Sequence, residues 1–161
     1  MRKFGTKPKP KRFTPPKATR GGYVGFFQTK PETPLTGEVQ GQKAAKGEER
    51  FARTIEKGIS KGLVQKHYFR WTTLKRGTPG YKELDELIYT PHEILAVSIK
   101  GEEFVHRSEA DKNQDKINEL IILAQLKRYG IDVPRITSIA AESLATQEQA
   151  DKAGKDLGIW R

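Results

Sequence analysis

Asp85 ends the short run Glu83-Leu84-Asp85, and downstream Ala96-Val97-Ser98-Ile99-Lys100-Gly101 sets a serine two residues before a lysine. Side chains two apart on a strand share a face, so Ser98 and Lys100 can both face Asp85. An acid ending one strand and a second acid two residues before a lysine on the next would bind a divalent cation on phosphodiester oxygens. The second acid is missing here, because Ser98 is neutral and a poor ligand for Mg²⁺. Whether the chain hydrolyses nucleic acid or keeps only the shape of such a site turns largely on that serine.

The elements that must carry these residues are legible from periodicity. Phe51, Ala52, Ile55 and Ile59 form one helical face from about Gln42, with Gly58 and Gly62 marking its end. Residues 63–74, rich in aromatic and β-branched side chains, read as a strand closed by the turn Arg76-Gly77-Thr78-Pro79-Gly80. Residues 84–89 and 94–100 read as two further strands of an antiparallel meander, and the unbroken run Ile94-Leu95-Ala96-Val97 suggests a strand covered on both faces. Asp111 to Tyr129 is the clearest helix, with Ile117, Leu120, Ile121 and Ala124, flanked by Leu123, as its apolar stripe. Residues 133–136 read as a fourth strand parallel to the third. Thr146 and Gln149 make a capping box for a last helix that stops near Gly158, with Trp160 as its anchor.

Charge divides the chain. The net charge is +10 over 161 residues, yet residues 1–47 hold eleven Lys/Arg against Glu32 and Glu38, and the remainder holds nineteen against eighteen acids. The first twenty residues hold eight basic residues, four prolines and no acid, which denies them both a helix and a packed core. Residues 1–42 are therefore expected to be a basic, extended arm and linker, and residues 43–161 the α/β domain. Arg2, Lys3, Lys7, Lys9, Lys11, Arg12, Lys17 and Arg20 would track a phosphate backbone or thread into a crevice of a nucleoprotein particle. A solvated tail that only aids solubility is the plainer alternative. Tyr23, Phe26 and Phe27, set among glycines, could stack on bases. Pinning the arm to the domain or to a protein neighbour fits better, since no β-sheet platform surrounds them.

Other classes are excluded or disfavoured. With no cysteine there is neither a disulfide framework nor a thiolate metal cluster, so a cytoplasmic or virion-associated setting is expected rather than secretion. No run approaches a membrane span, and the prolines oppose the amphipathic helix of a transit peptide. His67 and His92 are isolated and have no metal-ligand spacing. Tyr68, Phe69 and Trp71 are expected in the core and on the sheet faces. No phosphate-binding glycine loop, nucleophile elbow or internal repeat occurs.

The order helix, three strands, helix, strand, helix, with Glu49 in the first helix, Glu83-Leu84-Asp85-Glu86-Leu87-Ile88, Ala96-Val97-Ser98-Ile99-Lys100-Gly101, His106-Arg107 and Tyr129-Gly130-Ile131-Asp132-Val133-Pro134-Arg135-Ile136, resembles the PD-(D/E)xK nuclease superfamily. Within it, the chain is most similar to the branch of very short patch repair endonucleases and small, often phage-borne, nuclease-like proteins. The resemblance spans about residues 43–137 and implies a restriction-endonuclease-like core.

It also implies roles. Asp85 would be the principal Mg²⁺ ligand, Lys100 would orient or deprotonate the attacking water, and Glu49 could hold a second metal or a metal-bound water. Some restriction enzymes of this superfamily have serine at the place of Ser98 and bring the carboxylate from the following helix. Asp111 and Asp115, four apart on one helical face, could do so here, with Asp115 preferred and Glu102 as a weaker candidate. Acids at a helix N-terminus are equally explained by the helix dipole. Arg107 could contact phosphate. The resemblance therefore leaves two readings: a Mg²⁺-dependent endonuclease, acting on DNA rather than RNA, and a catalytically silent relative held by its arm among protein neighbours in a phage virion or ribosome-like assembly.

Overall fold

The computed structural model describes residues 32–101 and 108–161. The chain divides into Met1–Pro34 and Leu35–Arg161, and the elements below belong to the second unit. The arm cations from Arg2 to Arg20, the aromatics at 23–27, and Glu102, His106 and Arg107 lie outside the described residues.

The order is β1 (Glu38–Val39), β2 (Gln42–Lys43), α1 (Lys46–Ser60), β3 (Lys66–Trp71), β4 (Leu84–Tyr89), β5 (Ile94–Lys100), α2 (Glu109–Arg128), β6 (Ile136–Ala140), a 3-10 turn (Ala141–Leu144) and α3 (Gln147–Asp156). This is a mixed α/β fold with a four-stranded mixed sheet in the order β3-β4-β5-β6. The first two pairings are antiparallel, and β6 runs parallel to β5 with Ser98 opposite Ser138 and Lys100 opposite Ala140. Both faces are covered. Phe51 and Ile55 of α1, Ala150 of α3, Leu144 and Ile159 pack on Ile88, Val97 and Ile139. Ile122 and Leu126 of α2 pack on Leu84, Leu87 and Ala96. Neighbours Ala96 and Val97 thus lie in opposite cores, in line with their unbroken apolar run.

Three departures from the sequence reading have physical causes. The fourth strand is Ile136–Ala140, not residues 133–136. Val133 is buried against α2 from the connecting loop, and Pro134 offers no ladder donor, so the apolar signal precedes the strand itself. The compact body starts at Leu35, before the expected boundary at 43. Val39 is buried with Ala52 and Phe69, and the β1–β2 hairpin covers the edge of β3. Gln40 accepts from Phe69 N–H at 2.8 Å and donates to His67 O at 2.8 Å, while Gln42 donates to Phe69 O at 3.1 Å. Two glutamine side chains so replace a neighbouring strand.

The third departure concerns α2. Ile122 and Leu126 are its buried residues, whereas Ile117 and Leu120 are 49% and 66% exposed. Ile117, Leu120 and Ala124 of the expected stripe thus face outward, Ile121 is half-buried, and only the flanking Leu123 packs against the core.

Candidate functional site

Asp85 sits where the sheet opens. The β4–β5 ladder runs from Tyr89↔Ile94 to Glu86↔Val97 and goes no further toward Asp85. On the other side, β3 pairs Phe69 with Glu86 and Trp71 with Leu84, passing over Arg70 and Asp85. Arg70 is the cause on that side, because its φ of +54° turns the strand over. Such a backbone costs about 1 kcal/mol or more in a non-glycine residue and needs compensating contacts. The turn moves Trp71 and Leu84 to the α2 side, in the core with Leu87.

The Asp85 carboxylate fills the opening. Its Oδ2 accepts the Ile99 backbone N–H at 2.7 Å, standing in for a strand partner. Ser98 Oγ lies 3.5 Å from the same oxygen, too far to add much. Burial is the main influence on this carboxyl and raises its pKa above the usual value, outweighing the Ile99 bond; Glu48 and Glu83 raise it further and Arg70 opposes them.

Arg70 is the cation among these acids. Its guanidinium donates to Glu83 Oε1 at 2.9 Å, to Glu48 Oε1 at 3.3 Å and to Lys43 O at 3.2 Å. Glu83 is also reached by Arg76 at 3.4 Å and by the Tyr81 hydroxyl. Glu48 accepts from Ala45 N–H at 2.8 Å, the half of a capping box that needs no side chain on the alanine. Lys43, Glu48 and Glu83 bring β2, α1 and the approach to β4 onto one guanidinium, with Asp85 within its field.

The expected site residues separate. Asp85, Ser98 and Lys100 lie on neighbouring strands at this end of the sheet. Lys100 Nζ lies 3.6 Å from Glu119 of α2. Asp115 shares that helical face one turn earlier and is half-buried, while Asp111 is exposed in the first turn, where its N–H is capped by Ser108 Oγ at 3.2 Å. Glu49 points elsewhere. It is buried, and its carboxylate accepts Thr36 N–H at 2.8 Å, Thr36 Oγ1 at 3.1 Å, Gly37 N–H at 2.7 Å and Arg53 at 3.2 Å. These donors and Arg53 bring its pKa below the usual value although burial pushes the other way. Glu49 anchors the chain entering the hairpin; the α1 acid beside Asp85 is Glu48.

Among the described residues no three acid or histidine side chains are grouped to hold a metal ion. Arg70 already pairs with Glu48 and Glu83, and Asp85 has one oxygen committed to the Ile99 N–H.

Further along β3 and β4 lies a pair that sequence reading passed over as an isolated histidine. His67 Nδ1 is 2.8 Å from Glu86 Oε1, both side chains are nearly inaccessible, and Glu56 Oε2 is 3.7 Å from Nε2. Burial lowers the imidazole pKa, but the two carboxylates outweigh it and hold it above the usual value. Burial likewise raises Glu86, against the opposing pull of His67, and Glu86 Oε2 has no partner. The signal was strand pairing: His67 stands opposite Ile88 and Phe69 opposite Glu86, so His67 and Glu86 are diagonal neighbours on one face.

No family model matches the chain, and neither does any curated protein or solved structure. Among the described residues no helix is long and apolar enough to cross a membrane.

Proposed function

We propose that the chain is a nucleic-acid-associated protein of PD-(D/E)xK nuclease fold whose former metal site now serves as a structural latch. Its basic arm would hold it within a nucleoprotein assembly such as a phage virion. The observation that carries this reading is Arg70 beside Asp85: a fixed guanidinium among Glu48, Glu83 and Asp85 supplies the positive charge those acids would otherwise draw from a metal, and Ser98 adds none of the missing negative charge. The arm then supplies the affinity, since each phosphate neutralised contributes a salt-dependent term that needs no pocket.

One observation favours a second reading. Glu119 on α2, 3.6 Å from Lys100, could replace the acid lost at Ser98, leaving an enzyme that acts only when Arg70 withdraws.

The two readings separate in a cleavage assay on supercoiled and single-stranded DNA with Mg²⁺ or Mn²⁺, read beside binding over a range of salt. A latch binds and does not cut. Replacing the eight basic residues of the first twenty by serine then flattens the salt dependence, by about 0.9 in log–log slope for each phosphate no longer neutralised. Cutting by the wild type that vanishes in Lys100→Ala and Glu119→Gln supports the enzyme instead. Unchanged binding after removal of the eight charges defeats the proposed role of the arm.

A further inference from the structure

The outer face of α2 is the unexplained surface of the body. Ile117, Leu120, Ile121 and Ala124 follow the spacing that places side chains on one helical face. Ile117 is 49% and Leu120 66% exposed, and Ala124 is exposed beside them. The helix does not need this stripe for its own core, because Ile122 and Leu126 meet the sheet from the other side. A contiguous apolar patch rimmed by polar residues marks a docking surface more often than a chance exposure.

The charges of α2 indicate the partner. Its first two turns carry Glu109, Asp111 and Asp115 against Lys112 and Lys116, and its last turn carries Lys127 and Arg128, so the first end leans acidic and the other is basic. An antiparallel second copy of the same helix meets that polarity with its own reversed, and the two helix dipoles also oppose. A two-fold axis between Leu120 and Ile121 would set Leu120 against Ile121 of the second copy and Ile117 against Ala124. It would also carry Lys127 and Arg128 of each copy to within about one turn of the other's Glu109 and Asp111. Such a surface is self-complementary, as an isologous dimer requires.

We propose that α2 is the dimerisation helix of this protein, pairing antiparallel with α2 of a second copy through Ile117, Leu120, Ile121 and Ala124. The helix has 20 residues, about 30 Å of length, so the contact alone falls at the small end of specific interfaces and gives a reversible dimer. The inference is independent of the function proposed above.

Sedimentation of the full chain from about 1 to 100 µM, spanning the micromolar affinities typical of weak dimers, should show mass rising from monomer to dimer. Leu120→Glu and Ile117→Glu should each hold the mass at monomer with an unchanged circular dichroism spectrum, since both sites are exposed. The chain has no cysteine, so introduced thiols report orientation cleanly. Leu120→Cys should cross-link to itself near the axis; Lys127→Cys should not, but should cross-link to Asn113→Cys in a mixture. A monomer at every concentration overturns the proposal. So does a dimer indifferent to Leu120→Glu, which would lie elsewhere, or self-cross-linking of Lys127→Cys, which would mean parallel helices.

Discussion

The two faces of the sheet are built to different standards. On the α1–α3 face the helices approach so closely that a Cβ on Gly58 would collide with the Ile159 carbonyl oxygen, and one on Gly154 would come 2.5 Å from Thr54 Cγ2. The polar groups between them are bonded in a network: Asp151 accepts from Thr54 Oγ1 at 2.6 Å and from Lys57 at 3.0 Å, and Gln147 donates to both Thr54 and Asp151. On the α2 face two helical residues are buried and large apolar side chains of the helix face outward, and at the end of the sheet the β4–β5 ladder stops short of Asp85. Adjacent residues of β4 show the contrast, Glu86 being locked to His67 and Asp85 set into a gap.

The comparison implies that the sealed face tolerates least. His67→Ala should cost the most, because it leaves Glu86 buried without a counter-charge; breaking a buried pair from one side typically costs about 3–5 kcal/mol. Urea unfolding measures this, and the double variant His67→Ala, Glu86→Leu should recover a large part of the loss. No recovery would show that the packing of the imidazole matters rather than its charge. Gly58→Ala follows, at about 1–3 kcal/mol for an overpacked contact, despite alanine's better helix propensity. A neutral outcome would mean that the C-terminal segment at Ile159 is free to shift.

The same pair sets a pH dependence. The folded pKa of His67 is raised, so its contribution is complete below the usual value of about 6.5 and is lost as pH rises through the folded value. Glu86 is shifted in the same direction, so its burial also weighs against the fold as pH rises. Glu49 and Asp151 have lowered pKa values, and their contributions, present above the usual carboxylate range, are lost as pH falls through the folded values. Stability should therefore decline toward both extremes, and the double variant His67→Gln, Glu86→Gln should remove the pair's share of the decline at rising pH while leaving the acid limb. A decline at rising pH that is unchanged in the double variant assigns it to other groups, Asp85 among them.

Much of the fold was legible because strands and caps are local. The bounds 84–89 and 94–100 follow from apolar runs between turn residues, and Thr146 caps α3 through Gln149 N–H at 3.1 Å as its spacing required. The site was legible only to within a residue or a turn. Glu48 and Glu49 are both acids at the start of α1, and which one turns toward Asp85 depends on the helix's rotation about its axis, fixed by Phe51, Ala52 and Ile55. Glu119, one turn beyond Asp115 on the same face of α2, lies 3.6 Å from Lys100, and spacing alone does not choose between successive turns. Arg70 carried no signal, since its role comes from a positive φ and from three acids distant in sequence. The β1–β2 hairpin read as linker because glutamine side chains, not a run of strand-forming residues, attach it.

On the open face the effects should be small. Glu119→Gln weakens the ion pair with Lys100, whose partners are 19% and 29% exposed, and partly exposed pairs contribute about 1 kcal/mol or less. A loss well above that would place Lys100 in the structural framework rather than at a site spared by it.

Asp85→Asn tests the contrast at its sharpest point. The amide keeps an oxygen that can accept the Ile99 N–H, so the plug in the ladder survives the change. What it removes is ionisation. Because burial raises the Asp85 pKa above its usual value, the folded protein binds that proton more tightly than the unfolded chain does, and stability drains away as pH rises through the interval between the two. Below that interval the two proteins should unfold alike; above it Asp85→Asn should be the more stable, and thermal unfolding at acid and neutral pH measures the difference. If the asparagine variant is instead less stable at neutral pH, Arg70 holds Asp85 as an ion pair, and both faces of the sheet are built to the same end.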